Sequence, residues 1–358
     1  MAARTGASGG AVAVATTSVP VRAGSGQTLT VTRRPFRSSF WWYLIRRLVQ
    51  ASLVVLLVTL IVFTLMHVAM PNGPGAGVLG LTATQEQIDA FNHKHGFDLP
   101  IWQQYINYLV QISHGDFGDS FKQNMTVGMA IKIRLPKTML LAIISMIVAL
   151  AIALPMGLFQ ATRRGKLADY VLTGANFVIY STPSFFMGLL LIVLFAQKLH
   201  WLPATAPSGV PTVAYLLANP KYLVLPVITG SLGTIATFSR YMRSATIDNL
   251  SEDYVRTARA KGTSSTRVVV RHVVRNSLTP VIAMLGYYLP VMFGGMLVVE
   301  QLFNYPGMGL LFWRSAQQSD YPVLLGCILI IALATVIGSL LADIIQALLD
   351  PRTRGQLE

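Results

Sequence analysis

The stretch DYVRTARAKGTSSTRVVVRHVVRNSLTPVI, residues 253–282, is basic and polar for most of its length, yet it lies between two strongly apolar segments. Its first part, Tyr254–Lys261, has the composition of a short helix, and Gly262 is suited to end that helix in the left-handed conformation. The Ser and Thr residues that follow are candidate N-caps of a second helix. In that helix an apolar seam is formed by Val269, Val270, Val273 and Val274, and a cationic face by Arg267, Arg271 and Arg275. The stretch therefore predicts a helix–glycine–helix unit between two apolar segments.

The composition of the whole chain points to a bilayer. Hydrophobic residues make up 53% of its 358 residues and charged residues only 12%, whereas soluble domains carry roughly 25% charged residues. The net charge of +14 has two interpretations. It is either a nucleic-acid-binding surface or the excess of Lys and Arg that membrane proteins place in their cytoplasmic loops.

Six apolar runs are long enough to cross a bilayer as helices, which takes about 20 residues. They are Leu44–Met70, Thr138–Gln160, Tyr170–Gln197, Tyr222–Ser239, Val281–Val299 and Val323–Leu348. If the N-terminus is inside, 20 of the 28 Lys and Arg residues fall in cytoplasmic parts and 8 in outer loops. This bias predicts that both termini are cytoplasmic. The charge is thereby explained by topology, and we predict no nucleic-acid partner. The fold class that follows is an all-α membrane protein with six transmembrane helices.

The runs also divide the chain into parts. Residues 1–38, rich in Ala, Gly, Ser and Thr, are predicted to be a disordered cytoplasmic leader, and residues 40–70 a first transmembrane helix rather than a cleaved signal peptide. The remaining parts are an outer helical loop at 71–133, a transmembrane core at 134–349 (helices at about 138–160, 170–197, 222–239, 281–299 and 323–348, with the cytoplasmic loop 240–278) and a cytoplasmic tail at 350–358.

The outer loop is long enough to fold as a small subdomain. Thr84 and Gln87 have the spacing of a capping box, and Gly96 is placed to end the helix that follows them. Asp98 is a candidate N-cap of a second helix. The predicted apolar face of that helix is Ile101, Tyr105, Tyr108, Leu109 and Ile112.

Proline and glycine recur inside the second to fifth apolar runs. The prolines are Pro155, Pro183, Pro226 and Pro290. A proline in a membrane helix leaves a backbone carbonyl that neighbouring helices must satisfy. Two interpretations stay open, namely ordinary kinks, or bent helices that line a translocation path and move.

We find no catalytic or metal-binding constellation in the sequence. The GK in RRGKLAD, residues 163–169, lacks the rest of a Walker A motif, so the chain is predicted not to hydrolyse ATP. The single Cys327 excludes an internal disulfide and is interpreted as a small core residue. His93 and His95 are interpreted as a solvated surface, because no third ligand recurs at helical spacing. Transporters that couple to ions bury charged groups at mid-membrane. The near absence of such groups here predicts that energy comes from a partner.

Several blocks in chain order resemble ABC importer permeases of the branch that serves dipeptides, oligopeptides and nickel. YVRTARAKG with RVVVRHVVRNSLTPVI resembles their cytoplasmic EAA loop. The other blocks are YLIRRL (43–48), GDFGDS (115–120), RLPKTMLL (134–141), EQLFNYPGMGLL (300–311), DYPVLLG (320–326) and DPRTR (350–354). The early RR and the long outer loop resemble the first of that branch's two permease subunits. Arg256 stands where the general loop pattern has Glu, so no role of that Glu is carried over.

This resemblance implies a type I ABC importer permease fold in the bacterial plasma membrane. It implies a heterodimer with a second permease subunit, two ATP-binding subunits that hold ATP and Mg²⁺, and an extracytoplasmic substrate-binding protein. This chain would bind no cofactor itself. The short helix would couple to an ATPase subunit, and its coupling residues are Tyr254, Val255, Ala258, Arg259, Ala260, Lys261 and Gly262. The expected substrates are di- or oligopeptides, with nickel or another small solute as the alternative, and the substrate-binding residues are unknown.

A rival interpretation comes from another functional class. The basic loop would be an interfacial element whose arginines contact anionic lipid headgroups, in a membrane-anchored structural or receptor protein. The residues alone favour neither lipid contact nor docking of a partner.

Overall fold

The computed structural model describes the segments Thr17–Arg22, Thr28–Arg33 and Phe36–Ala69 and residues 73–80, 82–207, 209 and 211–349. The chain forms two units, Met1–Leu53 with Asp350–Glu358, and Val54–Leu349. The predicted tail at 350–358 lies outside the described residues.

The N-terminal unit contains a two-stranded antiparallel sheet. Strands β1 (Thr17–Arg22) and β2 (Thr28–Arg33) pair with Thr17 opposite Arg33. This differs from the disorder that we expected over residues 1–38. Both strands contain β-branched Thr and Val, which favour extended backbone. The other residues of the predicted leader before Phe36 lie outside the described part of the chain.

Helices account for the rest of the described secondary structure, beginning with α1 (Phe36–Ala69). The following helices are α2 (Gly73–Leu79), α3 (Gln85–Lys94), α4 (Ile101–Ser113), α5 (Val127–Thr162), α6 (Leu167–Ser181), α7 (Ser184–Leu191), α8 (Val213–Ala218), α9 (Lys221–Leu250), α10 (Asp253–Ala260), α11 (Ser265–Val268), α12 (Val274–Leu302), α13 (Met308–Gln317) and α14 (Tyr321–Leu349). Two π-helical segments, Ile192–Lys198 and Val269–Val273, extend α7 and join α11 to α12.

Five of the described helical segments are long and apolar enough to span a membrane. They are Ile45–Val68, Val127–Thr162, Lys221–Leu250, Ser265–Gly286 and Tyr321–Leu341. The bent pair Leu167–Ser181 and Ser184–Lys198 is the sixth span if its two halves count as one. The predicted helical membrane fold is confirmed, with five spans, or six when the bent pair counts as one.

The helix boundaries differ from the prediction in three places. Helix α5 begins at Val127 rather than near Thr138, because Thr126 caps it with a hydrogen bond from the Met129 N–H of 3.2 Å. Helix α9 continues through Arg240 and Arg243 to Leu250, so the first part of the predicted cytoplasmic loop is helical. The predicted helix at 170–197 consists of two helices, because the chain bends by 104° between Ser181 and Ser184, beside the predicted kink residue Pro183.

Helix α9 occupies the centre of the main unit. Its apolar residues Leu223, Leu225 and Val227 belong to a buried cluster with α5 and α12. Further along, Phe238 and Met242 form a second cluster with those helices. Because α9 is enclosed by other helices, its movement must displace them.

The outer loop folds as predicted in its first half. The capping box of Thr84 and Gln87 is present, and Gly96 follows α3 with a φ of 71°. Asp98, however, does not cap α4, which begins after Pro100. Asp98 instead contacts His93, with 2.7 Å between Oδ2 and Nδ1. His93, which we considered as a metal ligand, therefore has a carboxylate partner.

The predicted apolar face of α4 is only partly correct. Ile101 is exposed, whereas Gln104 is buried. The side-chain amide of Gln104 donates to the carbonyls of Phe97 at 3.0 Å and Leu99 at 2.7 Å. Gln104 is therefore buried because it holds the preceding turn by hydrogen bonds, although the hydrophobic pattern placed it outside the apolar face.

Candidate functional site

The short helix α10 rests on a small apolar cluster of its own. Val255 is fully buried against Val268 and Val273, and Tyr254 and Ala258 pack at the edge of this cluster. Of the predicted coupling residues, these three face inward and fix the helix.

Helix α10 ends in a Schellman motif. The Thr263 N–H donates to the Ala258 carbonyl at 3.2 Å and the Gly262 N–H to the Arg259 carbonyl at 2.9 Å, which is the hydrogen-bond pattern of that motif. Gly262 has a φ of 79°, and nothing lies within 4 Å of a Cβ placed there. The glycine is thus required by backbone conformation, and the space beside it is open.

The remaining predicted residues form the open face of α10. Arg259, Ala260, Lys261 and Gly262 are all exposed, as is the neighbouring Arg256. The ion pair of Arg256 with Asp253 is 3.3 Å long and exposed on both sides, so it contributes little to stability. The face is basic, with the small side chain of Ala260 at its middle, and no element among the described residues covers it.

The apolar seam after Gly262 has a different register from the predicted one. Val268 and Val273 are buried, whereas Val270 is 63% exposed. The cause is the π-helical segment Val269–Val273, because a π-helix bonds i to i+5 and brings residues five apart to one face. The predicted cationic face is confirmed by the exposure of Arg267, Arg271 and Arg275.

Helix α10 is tied back to α9. The Tyr254 hydroxyl donates to Asn249 Oδ1 at 2.8 Å, and Leu250 packs against the cluster under α10. Only Ser251 and Glu252 separate the two helices. Helix α10 and the end of α9 are therefore joined by a short turn and by side-chain contacts.

A buried ion pair clamps the same end of α9 to α6. Arg243 Nε lies 2.8 Å from Asp169 Oδ1, and Arg243 Nη2 lies 2.7 Å from Asp169 Oδ2. The Gly165 N–H also donates to this carboxylate, at 3.1 Å. The Asp169 side chain is 3% exposed and that of Arg243 29%. The two-pronged geometry defines the orientation of both side chains, so the pair, here called the α6–α9 clamp, holds the helices in one register.

Two further contacts reinforce the clamp. Asn176 of α6 donates to the Ser239 hydroxyl at 2.8 Å, and the Arg240 guanidinium lies 5.1 Å from the centre of the Tyr180 ring. On the other side, a Cβ on Gly157 of α5 would lie 2.4 Å from the Ser239 carbonyl oxygen. The glycine is therefore needed for close approach of α5 to α9.

A second buried polar group, Glu300, lies in the last turn of α12. Glu300 is fully buried and accepts hydrogen bonds from Thr138 Oγ1 at 2.6 Å, from the Gly309 N–H at 2.6 Å and from the Leu310 N–H at 3.2 Å. A Cβ on Gly307 would overlap the carboxylate. Glu300 thereby fixes the turn between α12 and α13 against α5.

Tyr305 completes this arrangement. Its hydroxyl donates to the Lys137 carbonyl at 3.0 Å, and burial together with the neighbouring Glu300 raises the pKa of Tyr305. The Met308 N–H donates to Thr138 Oγ1 at 2.8 Å. The block EQLFNYPGMG is thus accounted for as a structural turn.

The four predicted kink prolines have different positions. Pro183 precedes α7 at the 104° bend. Pro155 and Pro226 lie inside α5 and α9, and Pro290 lies in the range of α12. Among the described spans, the bend at Pro183 is the one sharp break. The role of all four prolines in a moving path stays a prediction.

Sequence reasoning missed the α6–α9 clamp and Glu300. The sequence carried one signal in each case, a charged residue at the end of an apolar run. Asp169, Arg243 and Glu300 each lie within four residues of such an end. Arg243 is 74 residues from its partner Asp169, and Thr138 is 162 residues from its partner Glu300. The sequence does not show that these residues meet.

Comparison with known proteins decides the family. The family described as binding-protein-dependent transport system inner membrane component matches residues 153–355, more than half of the 358-residue chain. The chain belongs to this family. The N-terminal domain that is described for the same transport systems matches residues 40–142 of this permease.

Curated relatives cover nearly the whole permease. The oligopeptide transport system permease protein AppB of Bacillus subtilis is 38% identical over 311 residues, which are 87% of this chain and 98% of the relative. The glutathione transport system permease protein GsiC of Escherichia coli K12 is 33% identical over 312 residues, with the same coverage of 87% and 98%.

The membership settles the general role of the permease. It is a multi-pass membrane component of an ATP-driven importer, with the type I ABC permease fold, and it works with ATPase and substrate-binding partners. It is a transport subunit rather than an enzyme, and ATP hydrolysis belongs to separate subunits. The resemblance is confirmed, and the rival interpretation as an anchored structural or receptor protein is wrong.

Proposed function

We propose that this permease imports di- or oligopeptides by alternating access. The support comes from the relatives that are named for oligopeptide and glutathione transport, since glutathione is itself a small peptide. Nickel is the alternative substrate. No group of three His, Cys, Asp or Glu residues that could hold a metal occurs in the described part of the chain, and no observation favours that alternative.

The working complex in this proposal has five chains. This permease pairs with a second permease subunit to form one path, two ATP-binding subunits bind ATP and Mg²⁺ on the cytoplasmic side, and an extracytoplasmic binding protein delivers the peptide. Both termini of the permease are cytoplasmic. The charge bias of the loops supports this orientation, because basic residues concentrate on the side where α10 lies.

The single observation that carries the coupling role is the two-sided character of α10. Its inner face is fixed by Val255, while its outer face and its glycine end are open. We assign the ATPase dock to this open face. Closure of the ATPase subunits then displaces α10, and α9 follows because the two helices are joined by a short turn. The α6–α9 clamp and the close contact at Gly157 pass the movement to α6 and α5.

The decisive test is a substitution at Gly262. Gly262→Leu places a bulky side chain in the open space and adds a left-handed backbone cost of roughly 1–2 kcal/mol. We expect the leucine side chain in the dock to lower peptide uptake by the reconstituted complex by about tenfold, which corresponds to about 1.4 kcal/mol of lost docking. ATP hydrolysis should lose its stimulation by the peptide-loaded binding protein. Gly262→Asn, which tolerates the left-handed conformation, retains most of the uptake.

Gly115→Leu is the matched control. Gly115 has a φ of 76° and nothing within 4 Å of an added Cβ, but it lies in the outer loop. The control carries the same backbone cost and leaves coupling intact. If Gly262→Leu and Gly115→Leu lower uptake equally, the dock is not at α10.

The substrate is tested separately. Uptake of a radiolabelled dipeptide and of ⁶³Ni²⁺ is measured with the same reconstituted complex, each with the other as competitor. We expect dipeptide uptake that nickel does not inhibit. Nickel uptake that dipeptides leave unchanged would assign the alternative substrate.

A further inference from the structure

A cavity of about 500 Å³ lies beside the outer-loop subdomain. It is bounded by the last turns of α1, by α4, by the segment 117–121 and by the start of α14. This is the end of the bundle away from α10, because the N-terminal part of α5 packs against the start of α14 while its C-terminal part packs against the end of α9. The volume is within the range of small-molecule sites, which is roughly 300–1,000 Å³.

Aromatic rings dominate two walls of this cavity. One wall is a cluster in which the centres of His95 and Phe97 lie 5.3 Å and 6.1 Å from the centre of Phe121. The other contains Phe63 and Tyr108, whose ring centres are 6.1 Å apart. Aromatic rings attract cations through their negative faces, so the walls favour a positively charged ligand that has some apolar surface.

The charge of the lining agrees with this preference. Asp119 lines the cavity, and no Lys or Arg is among the described residues that bound it. Lys122 directly follows the segment 117–121, and its ammonium group donates a hydrogen bond to the Val78 carbonyl at 2.5 Å. The basic groups in the described lining are the imidazoles of His67 and His95. An anion would meet the Asp119 carboxylate with no lysine or arginine to offset it, whereas an ammonium group gains from the carboxylate and from the rings.

The segment that carries Asp119 and Phe121 is held rigidly. Asp320 is fully buried and accepts hydrogen bonds from the Ser120 hydroxyl at 2.5 Å and from the Phe121 N–H at 3.1 Å. The Val127 N–H donates to the Gly118 carbonyl at 2.9 Å. Because these bonds are all made within the chain, the walls need little rearrangement on binding.

We propose that this cavity binds an ammonium group attached to a small apolar body. The amino end of a peptide or amino acid has this chemistry, and so does the ethanolamine or choline headgroup of a lipid. The proposal does not depend on peptide import, because it rests on the lining of the cavity and its charge.

The test uses matched cationic and neutral probes. L-phenylalaninamide carries a free ammonium group, whereas N-acetyl-L-phenylalaninamide has the same ring without the charge. Binding to the full-length protein in phosphatidylglycerol nanodiscs is measured by saturation-transfer NMR and calorimetry. We expect the cationic probe to bind about tenfold more tightly than the neutral probe, since a carboxylate and ring faces together distinguish charge on this scale.

Two variants and one control complete the design. Asp119→Asn removes the carboxylate and Phe97→Leu removes a ring face while keeping an apolar wall, and each should weaken the cationic probe several-fold without weakening the neutral one. Glu86→Gln, an exposed carboxylate outside the cavity lining, should change nothing. Equal binding of the two probes, or full affinity in folded Asp119→Asn protein, overturns the proposal.

The source of the ammonium group is resolved by the lipid. Nanodiscs that contain phosphatidylethanolamine are compared with those of phosphatidylglycerol alone. Reduced binding of L-phenylalaninamide supports the proposal with a headgroup as the resident ligand. Unchanged binding supports it with a free amine as the ligand.

Discussion

The α6–α9 clamp provides the sharpest quantitative prediction. Arg243→Met removes one partner of a buried pair and leaves the Asp169 carboxylate, 3% exposed, with only the Gly165 N–H and a weak contact from Thr173 Oγ1 at 3.5 Å. Losing one member of a buried ion pair typically costs about 3–5 kcal/mol. Because the Arg243 side chain is 29% exposed, we expect the lower limit of about 3 kcal/mol.

The double variant isolates the interaction itself. Asp169→Asn with Arg243→Met removes both charges, so no carboxylate remains buried without its partner. We expect the pair of substitutions to cost about 1 kcal/mol, less than Arg243→Met alone, because replacing both partners of such a pair is far milder than removing one. The double-mutant cycle should then show an interaction energy of at least about 2 kcal/mol.

The free energy of unfolding is measured by reversible titration of the purified permease with sodium dodecyl sulfate in mixed micelles, and transport is measured after assembly with the partner subunits. We expect the double variant to be close to native in stability but to hydrolyse ATP without proportionate peptide uptake, because α9 no longer moves α6. Ser231→Ala, a buried site on α9 whose hydroxyl bonds only to the Ile228 carbonyl at 2.8 Å within its own helix, is the control. Additive effects of the two single variants, or normal coupling in the double variant, would refute the clamp.

Three further predictions concern other parts of the chain. Glu300→Gln places an amide among the N–H donors of the α12–α13 turn. We expect the free energy of unfolding, measured in the same titration, to fall by about 2 kcal/mol. A loss below about 0.5 kcal/mol would contradict the assigned hydrogen bonds. Gly157→Val adds a side chain that overlaps the Ser239 carbonyl, so we expect reduced folded yield, whereas Gly174→Ala, with open space beside it, is tolerated. The hydrogen bond between His93 and Asp98 raises the pKa of the histidine and lowers that of the aspartate. Below the ordinary histidine pKa of 6.5, native protein should therefore be slightly more stable than the His93→Gln variant. This difference in stability should vanish as the pH rises through the raised histidine pKa, and vanish again in acid as Asp98 is protonated. A stability difference that grows with pH would contradict the prediction.

Several local features could be predicted because they depend on neighbouring residues alone. The capping box at Thr84 and the glycine terminations at Gly96 and Gly262 are of this kind, since each involves hydrogen bonds within about five residues. The helix starts were less predictable. Helix α5 begins at the Thr126 cap, in a segment that hydropathy assigned to the outer loop, because hydropathy reports the apolar part of a helix and not its polar first turns.

The register after Gly262 shows a second limit. The pattern of valines predicted an α-helical seam, but the π-helical segment rotates the side chains so that Val268 and Val273 are buried together. A π-helix is favoured here by the cluster with Val255, which is 13 positions from Val268 in the sequence. Local propensity alone carries no information on that contact.

The sequence by itself determined the bilayer environment, the apolar membrane segments, the permease family and the position of the short helix α10. These properties follow from the length and apolarity of each run, from the distribution of basic residues and from short motifs, all of which are read along the chain. Only the tertiary structure decided which side of α10 is open, which residues clamp α9 to α6 and α5, and where the aromatic cavity lies. Those features join residues such as Asp169 and Arg243 that are 74 positions apart, and which distant groups meet is determined by the packing of whole helices.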